Sequence, residues 1–350
     1  MCALRFLRPA SGRKPRQRNF MSTLLEEIMK QKTNPANFFA ENRQRLMQRL
    51  HPNSLAVVNA NDVLTASADA TLPMHANCDL FYLTGISQEQ TILLLAPHAL
   101  DEQLREVLFI REPDPQIIAW EGDKLTKEQA QKVSGIASVK WLRDFPSLFH
   151  KLMCEVEHVY LNSNEHPGAS LELESRDTRF VRQARTRYPL HQYHRLARIL
   201  YELRMVKSEH ELKLIRAAIE VSSKGFLRVA RRVKPGMNEC EVEAEFAHEF
   251  LRCGARFAYP PIIASGINFS FLHYNRNDRT MRAGELLLLD VAARVGDYNS
   301  DVIRTIPVSG RFTLRQRQVY NAVLRVLRAM VQAATPGKCI ATSRRKQKFV

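Results

Sequence analysis

The sequence predicts two domains, an α/β domain followed by a domain of helices around a hairpin, and three observations carry that reading. Short apolar runs alternate with polar or helical stretches from Leu55 to Leu161. A polar stretch from Asn162, "NSNEHPGASLELESRD", then interrupts the pattern. Beyond it, long segments of helical period surround one run of four leucines, "RAGELLLLD", which ends on an acid. Strands alternating with helices indicate an α/β layer. A chain of 350 residues with 45% apolar content is ample for two ordinary cores.

The elements follow in order. Residues 1–36 are a basic tail, read as disordered. "NFFAENRQRLMQRL" is a helix that must stop before His51-Pro52. "LAVVNA", "DLFYLTGI", "TILLLAP", "EVLFI", "VKWL" and "EHVYL" read as strands. "LTKEQAQKVSGI" reads as a helix boxed by Thr126 and Gln129. The polar stretch places the first domain at 37–175 and the second at 176–337. In the second, Ser208 with Glu211 opens a helix whose stripe is Leu212, Ile215, Ile219, Ser222 and Phe226, ending before "KPG". Asn238 with Glu241 opens another, stopped by Gly254. "FAYPPIIASGINFSFLHYN" reads as irregular, and a last helix runs from Thr313, boxed with Gln316, to Pro336-Gly337.

Composition narrows the function. The net charge is +16, but residues 1–20 hold six Lys/Arg and 338–350 hold five, neither with an acid, leaving about +5 for the body. Basic tails can contact nucleic acid. The body has no helix-turn-helix, zinc-finger or aromatic-basic pattern, so that reading trails. Six scattered cysteines without a CxxC pair fit a reduced compartment. No run reaches a membrane span, and the N-terminus lacks a secretory apolar core. The cytoplasm is favoured. The Arg-rich start is also compatible with a mitochondrial leader, or with translation begun upstream of a start at Met21.

The chemistry centres on "LLLLDVAARVGDYNSDVIRTIPV". A hairpin turning at Val295-Gly296 sets Asp290 opposite Asp301, with Leu288 opposite Ile303 burying the same face. Cβ atoms so paired lie about 4.5–5.5 Å apart. Two such carboxylates repel unless one is protonated, a cation intervenes, or a metal bridges them. Arg304 points to the opposite face from Asp301, so a metal bridge is the most economical answer, with Mn, Co or Zn suited to oxygen donors. Solvated turn acids are the plain alternative.

The motif resembles that of aminopeptidase P and its relatives, the pita-bread metallopeptidases, in an Asp…Tyr-x-x-Asp-x-x-Arg-Thr pattern. Here it is Asp290, Tyr298, Asp301, Arg304 and Thr305. "FLHYNRND" matches the family's histidine segment, so His273 inherits a catalytic place beside the scissile carbonyl. "LRMVKSEHELKLIRAA", "NSLAVVNANDVLTASADATLPMHANCDLFYLTGI" and "IIAWEGDKL" extend the likeness from Asn37 to Gly337. The resemblance implies an α/β N-terminal domain followed by a partial α+β pita-bread domain. It implies a metal-dependent Xaa-Pro aminopeptidase, with Asp290 and Asp301 as ligands of two divalent ions, Mn foremost. Its substrates would be peptides with proline second, and homo-oligomers are expected.

The family's site also needs a later His, Glu and Glu. Beyond Asp301 there is no His, Glu or Asp, and all eleven histidines lie at or before His273. "CIATSRRKQKFV" after Lys338 reads as the product of a frame change or early stop. The expectation is therefore a truncated, inactive copy, whose apolar faces meant for a missing half meet water. The competing reading is a non-catalytic binding or oligomerisation module. Ala292, where relatives usually carry Gly, is a minor departure.

Overall fold

The computed structural model describes residues 36–168 and 172–338, so the basic tails at both ends fall almost wholly outside the described residues. It divides into two compact units, one ending at Leu214 and the other beginning at Ile215.

The first unit opens with α1 (Ala36–Met47), β1 (Ser54–Asn59), a small hairpin of β2 (Thr65–Ser67) and β3 (Ala70–Thr71), α2 (Cys78–Thr84) and β4 (Ile92–Leu95). Then come β5 (Glu106–Ile110), α3 (Pro115–Glu121), α4 (Lys127–Ser134), β6 (Ser138–Trp141), α5 (Phe145–Met153) and β7 (His158–Leu161). It closes with α6 (Arg176–Arg187), β8 (Gln192–Arg195) and α7 (Leu196–Met205). One sheet has the order β6-β5-β4-β1-β7-β8; β1, β7 and β8 run parallel. Helices cover both of its faces, so β1 is buried along its whole length. Ala56 and Val58 join Phe39, Leu46, Leu80 and Leu200 on one face. Leu55 and Val57 join Phe149, Leu152 and Ala184 on the other.

Two expectations need correction here. "DLFYLTGI" is the helix α2, not a strand. Asn77 caps it by accepting from the Asp79 and Leu80 amides, and Gly85 ends it at φ 70. Those end signals outweigh the β-propensity of its aromatics. The boundary at 175 also moves, because β8 pairs with β7 and the unit runs on to Leu214. α6 buries only Ala184, so little apolar period announced it.

Arg43 is 1% exposed. It donates to the Leu83 carbonyl at 2.8 Å, the Ser134 carbonyl at 2.9 Å and Glu106 at 3.0 Å. One guanidinium thus ties α1 to the carboxyl ends of α2 and α4 and to β5. Burial lowers its pKa, while the Glu106 charge acts the other way.

α8 (Glu209–Arg232) leads into the second unit. α9 (Glu239–Arg252), β9 (Arg256–Phe257), β10 (Ile262–Ser265), a 3-10 turn, β11 (Leu286–Asp290), β12 (Ala293–Val295), β13 (Tyr298–Asn299), β14 (Ile303–Pro307) and α10 (Leu314–Ala333) follow. Two small sheets have the orders β10-β11-β14 and β13-β12-β9. β10 lies in the stretch expected to be irregular. The expected caps at Ser208, Asn238 and Thr313 are all formed. α8, however, buries Ala218, Val221, Ser222 and Val229, while Ile219 is exposed. Gly225 explains the rotation, since a Cβ there would come 2.7 Å from the Phe246 ring on α9. Close helix approach selects the small-residue face.

Candidate active site

The site is built on the hairpin. β11 and β14 pair with Asp290 opposite Ile303 and Leu288 opposite Thr305. β12 and β13 pair with Val295 opposite Tyr298. The turn is therefore Gly296-Asp297, at φ 55 and 57, one residue later than expected. A tight two-residue hairpin turn of type I′ needs two left-handed positions, which Gly-Asp supplies and a β-branched valine does not. Asp301 consequently lies diagonal to Asp290, not opposite it. Being two residues from Ile303, it stays on the same face.

The acids do meet there. The Tyr259 hydroxyl bonds Asp290 Oδ1 and reaches Asp301 Oδ1 at 3.2 Å. A phenol has one proton to give, so it serves one carboxylate at a time. Burial, the bond to Asp290 and the charge of both acids drive its pKa far above the ordinary tyrosine value. It therefore stays a donor at neutral pH. This neutral hydroxyl between the carboxylates was absent from the remedies the sequence suggested.

The acid-bearing face is the open one, against expectation. Leu287 and Leu289 are buried, whereas Leu288 and Asp290 are half-buried, Ile303 is 53% exposed and Asp301 is exposed. The helices lie on the other face, where α9 packs against β10. Thr305, opposite Leu288, shares the open face and is half-buried. Arg304, opposite Leu289, is exposed and donates to the Ile303 carbonyl at 2.7 Å. Tyr298 sits half-buried on β13.

Buried groups hold this arrangement. Ser222 Oγ on α8 lies 2.8 Å from Ser300 Oγ, and the Ala293 amide donates to them at 2.9 and 3.0 Å. That pins the residue before Asp301 to the helix layer. Ala292 is buried with its carbonyl accepting from the Ala258 amide at 2.9 Å, so the departure there causes no distortion.

His273 is exposed, on the turn after the 3-10 segment, and the structure shows no hydrogen bond joining it to either aspartate. Its loop is nonetheless anchored. Glu239, 0% exposed, accepts from the Ser265 amide at 2.6 Å, Ser265 Oγ at 2.7 Å, Tyr274 Oη at 2.7 Å and the Arg279 amide at 3.1 Å. Asn277 adds a bond to the Pro261 carbonyl at 3.0 Å and accepts from the Ile263 amide at 3.1 Å. Both ends of the histidine loop are thus fixed.

Among the described residues, no third His, Cys, Asp or Glu joins the pair in a grouping that could hold a metal ion. Two carboxylates supply fewer donors than a two-metal centre requires. The residues present do not fit such a centre on their own.

Residues 39–160 match the aminopeptidase P N-terminal domain, and residues 213–345 match metallopeptidase family M24. The Xaa-Pro aminopeptidase of Escherichia coli is 31% identical over 304 residues, covering 86% of this chain and 69% of its own length. The chain belongs to the aminopeptidase P family.

Solved members agree. A Pseudomonas aeruginosa aminopeptidase PepP superposes with a TM-score of 0.78 at 28% identity, over 89% of this chain and 70% of that one. A zinc-substituted Escherichia coli aminopeptidase P in complex with product gives 0.78 and 29%, over 89% and 71%. Human Xaa-Pro aminopeptidase 3 is 28% identical over 80% of this chain and only 55% of its own. The aminopeptidase P fold is thus present as an α/β N-terminal domain plus part of the pita-bread domain. The family implies divalent metal ions and peptide substrates. No described helix is long and apolar enough to cross a membrane.

Three parts of this candidate site escaped the sequence reading. Tyr259 precedes two prolines in a stretch read as irregular; a lone tyrosine carries no spacing signal. Ser222 was placed on a buried stripe, and its pairing with Ser300 is visible only in three dimensions. Glu239 sits in the first turn of a capped helix, where an acid is ordinary.

Proposed function

We propose that this chain carries the aspartate-bearing part of an Xaa-Pro aminopeptidase site and does not complete it alone. The observation that carries the reading is the Asp290–Asp301 pair on one open face, joined through Tyr259, within a family-matched hairpin. Asp290 and Asp301 would be metal donors, with Mn the expected ion. His273 would face the scissile carbonyl from its anchored loop, while Tyr298, Arg304 and Thr305 support the hairpin. Substrates would be peptides with a free first residue and proline second. The described cysteines are all unpaired, which supports a reducing compartment such as the cytoplasm.

A second reading rests on α10. None of its residues is buried, and Leu314, Val323, Leu327 and Val331 are each more than half exposed. Such a face supports association, either with the rest of a catalytic domain or in a non-catalytic module.

Two assays test this. The purified chain with Mn²⁺ should release no first residue from an Xaa-Pro-Xaa peptide; turnover that vanishes in Asp290→Ala would overturn the claim of incompleteness. A chimera continued after Val308 with the remainder of the Escherichia coli enzyme should cleave that peptide. If the chimera folds and binds metal yet leaves the peptide intact, the substrate assignment fails.

A further inference from the structure

The first unit contains a cavity of about 800 Å³ outside the carboxyl ends of β1 and β7, and the peptidase reading gives it no role. The chain leaving β1 passes to α2, whose Leu80 and Leu83 pack on one face of the sheet. The chain leaving β7 passes to α6, whose Ala184 packs on the other. In open α/β sheets, the crevice where successive connections take opposite faces is where ligands bind. Its volume suits a small molecule.

The walls have a specific chemistry. Asp79 and Asp177 stand in the first turns of α2 and α6 and both line the cavity. Each is held by a buried amide. Asn59, the last residue of β1 and 2% exposed, donates to Asp177 Oδ1 at 2.9 Å. Asn162, just past β7, 4% exposed and lining the cavity, donates to Asp79 Oδ2 at 2.9 Å. The Oδ1 atoms of both asparagines are buried without any donor. Native interiors rarely leave such acceptors bare, because each forfeits its bond to water. Arg204 offsets Asp79 alone. Burial first, and then the nearby Asp79 and Asp62, push the Asp177 carboxyl up to about 6 despite the Asn59 bond and the charge of Arg176. Of the arginines that also line the cavity, Arg195 is held by Glu165 and Arg204 by Asp79. Asp177 feels the charge of Arg176 but forms no salt bridge among the described residues, and the two asparagine oxygens have no donor.

We propose that this cavity is a binding site for a small organic amine, whose ammonium group donates to Asp177 and Asp79. The ammonium would give Asp177 a salt-bridge partner and bring donors within reach of the Asn162 oxygen. A purely structural polar cluster would satisfy its own amide oxygens and would not open onto a cavity of ligand size. The site lies wholly in the first unit and does not depend on the peptidase reading.

Titration of the ¹⁵N-labelled whole chain with putrescine tests it. Saturable shifts are expected at the amides of 77–79, 162–166 and 175–177. Asp177→Asn and Asp79→Asn should each weaken the response by about tenfold or more, the worth of one charge-assisted hydrogen bond. Sodium chloride at matched ionic strength should produce none of these shifts. The proposal is overturned if putrescine gives no saturable shift at tens of millimolar, if sodium chloride reproduces the shifts, or if a folded Asp177→Asn chain responds like the parent. Should that variant not fold, Asp79→Asn decides by the same criterion.

Discussion

In the first unit the central strand β1 is buried at every residue, with helices on both faces of its sheet. In the second, β11 buries alternate residues only, and α10 buries none. Both strands read as apolar runs, yet one lies between two layers and the other beneath one. The first unit thus buries both faces of its sheet within itself. The second carries its aspartates on the more open face of its sheet, where Asp290 is half-buried and Asp301 and Ile303 are exposed.

The largest effect is expected at Arg43 in the finished core. Arg43→Ala strands Glu106 and two carbonyls and should cost about 3–5 kcal/mol in urea unfolding. A cost below about 1 kcal/mol would show that the first unit is not held as described. Next is Ser222→Val, which removes a buried partner of Ser300 and of the Ala293 amide. It should cost about 1–3 kcal/mol, read as a lower midpoint for the second unit.

Asp177 should behave in the reverse sense. Its folded-state pKa lies above the usual carboxylate value, so the folded unit holds that proton more tightly. Its contribution is full at low pH and is lost as pH rises from about 4 through about 6. Asp177→Asn should thus raise the melting temperature at pH 7.5 by the equivalent of about 1–2 kcal/mol and leave it nearly unchanged near pH 4. An equal change at both pH values would contradict the charge argument. The smallest effect on stability is expected from Leu327→Glu on exposed α10, within about 0.5 kcal/mol. Sedimentation should show less self-association, whereas unchanged sedimentation of a self-associating parent would remove α10 from the interface.

Much of this was legible in the sequence. Capping boxes at Thr126, Ser208, Asn238 and Thr313 declared four helix starts, because the cap side chain and its partner lie within one turn. The aspartates were recognisable as sharing a face, since a shift of the turn by one residue moves the register by two and preserves parity. What the sequence could not show were relations between distant segments. The exposure of the Asp290 face depends on which side the helices lie. The Tyr259 bridge joins residues 31 and 42 positions apart. α2 was misread because its aromatic run has strand composition and helix ends, and the ends prevailed.

The direct test of the paired but incomplete aspartate site is a calorimetric titration of the whole chain with Mn²⁺, alongside Asp290→Asn. The account predicts at most weak uptake, which the substitution abolishes, because two carboxylates and a phenol are the donors assembled there. Tight binding of two ions per chain would contradict it.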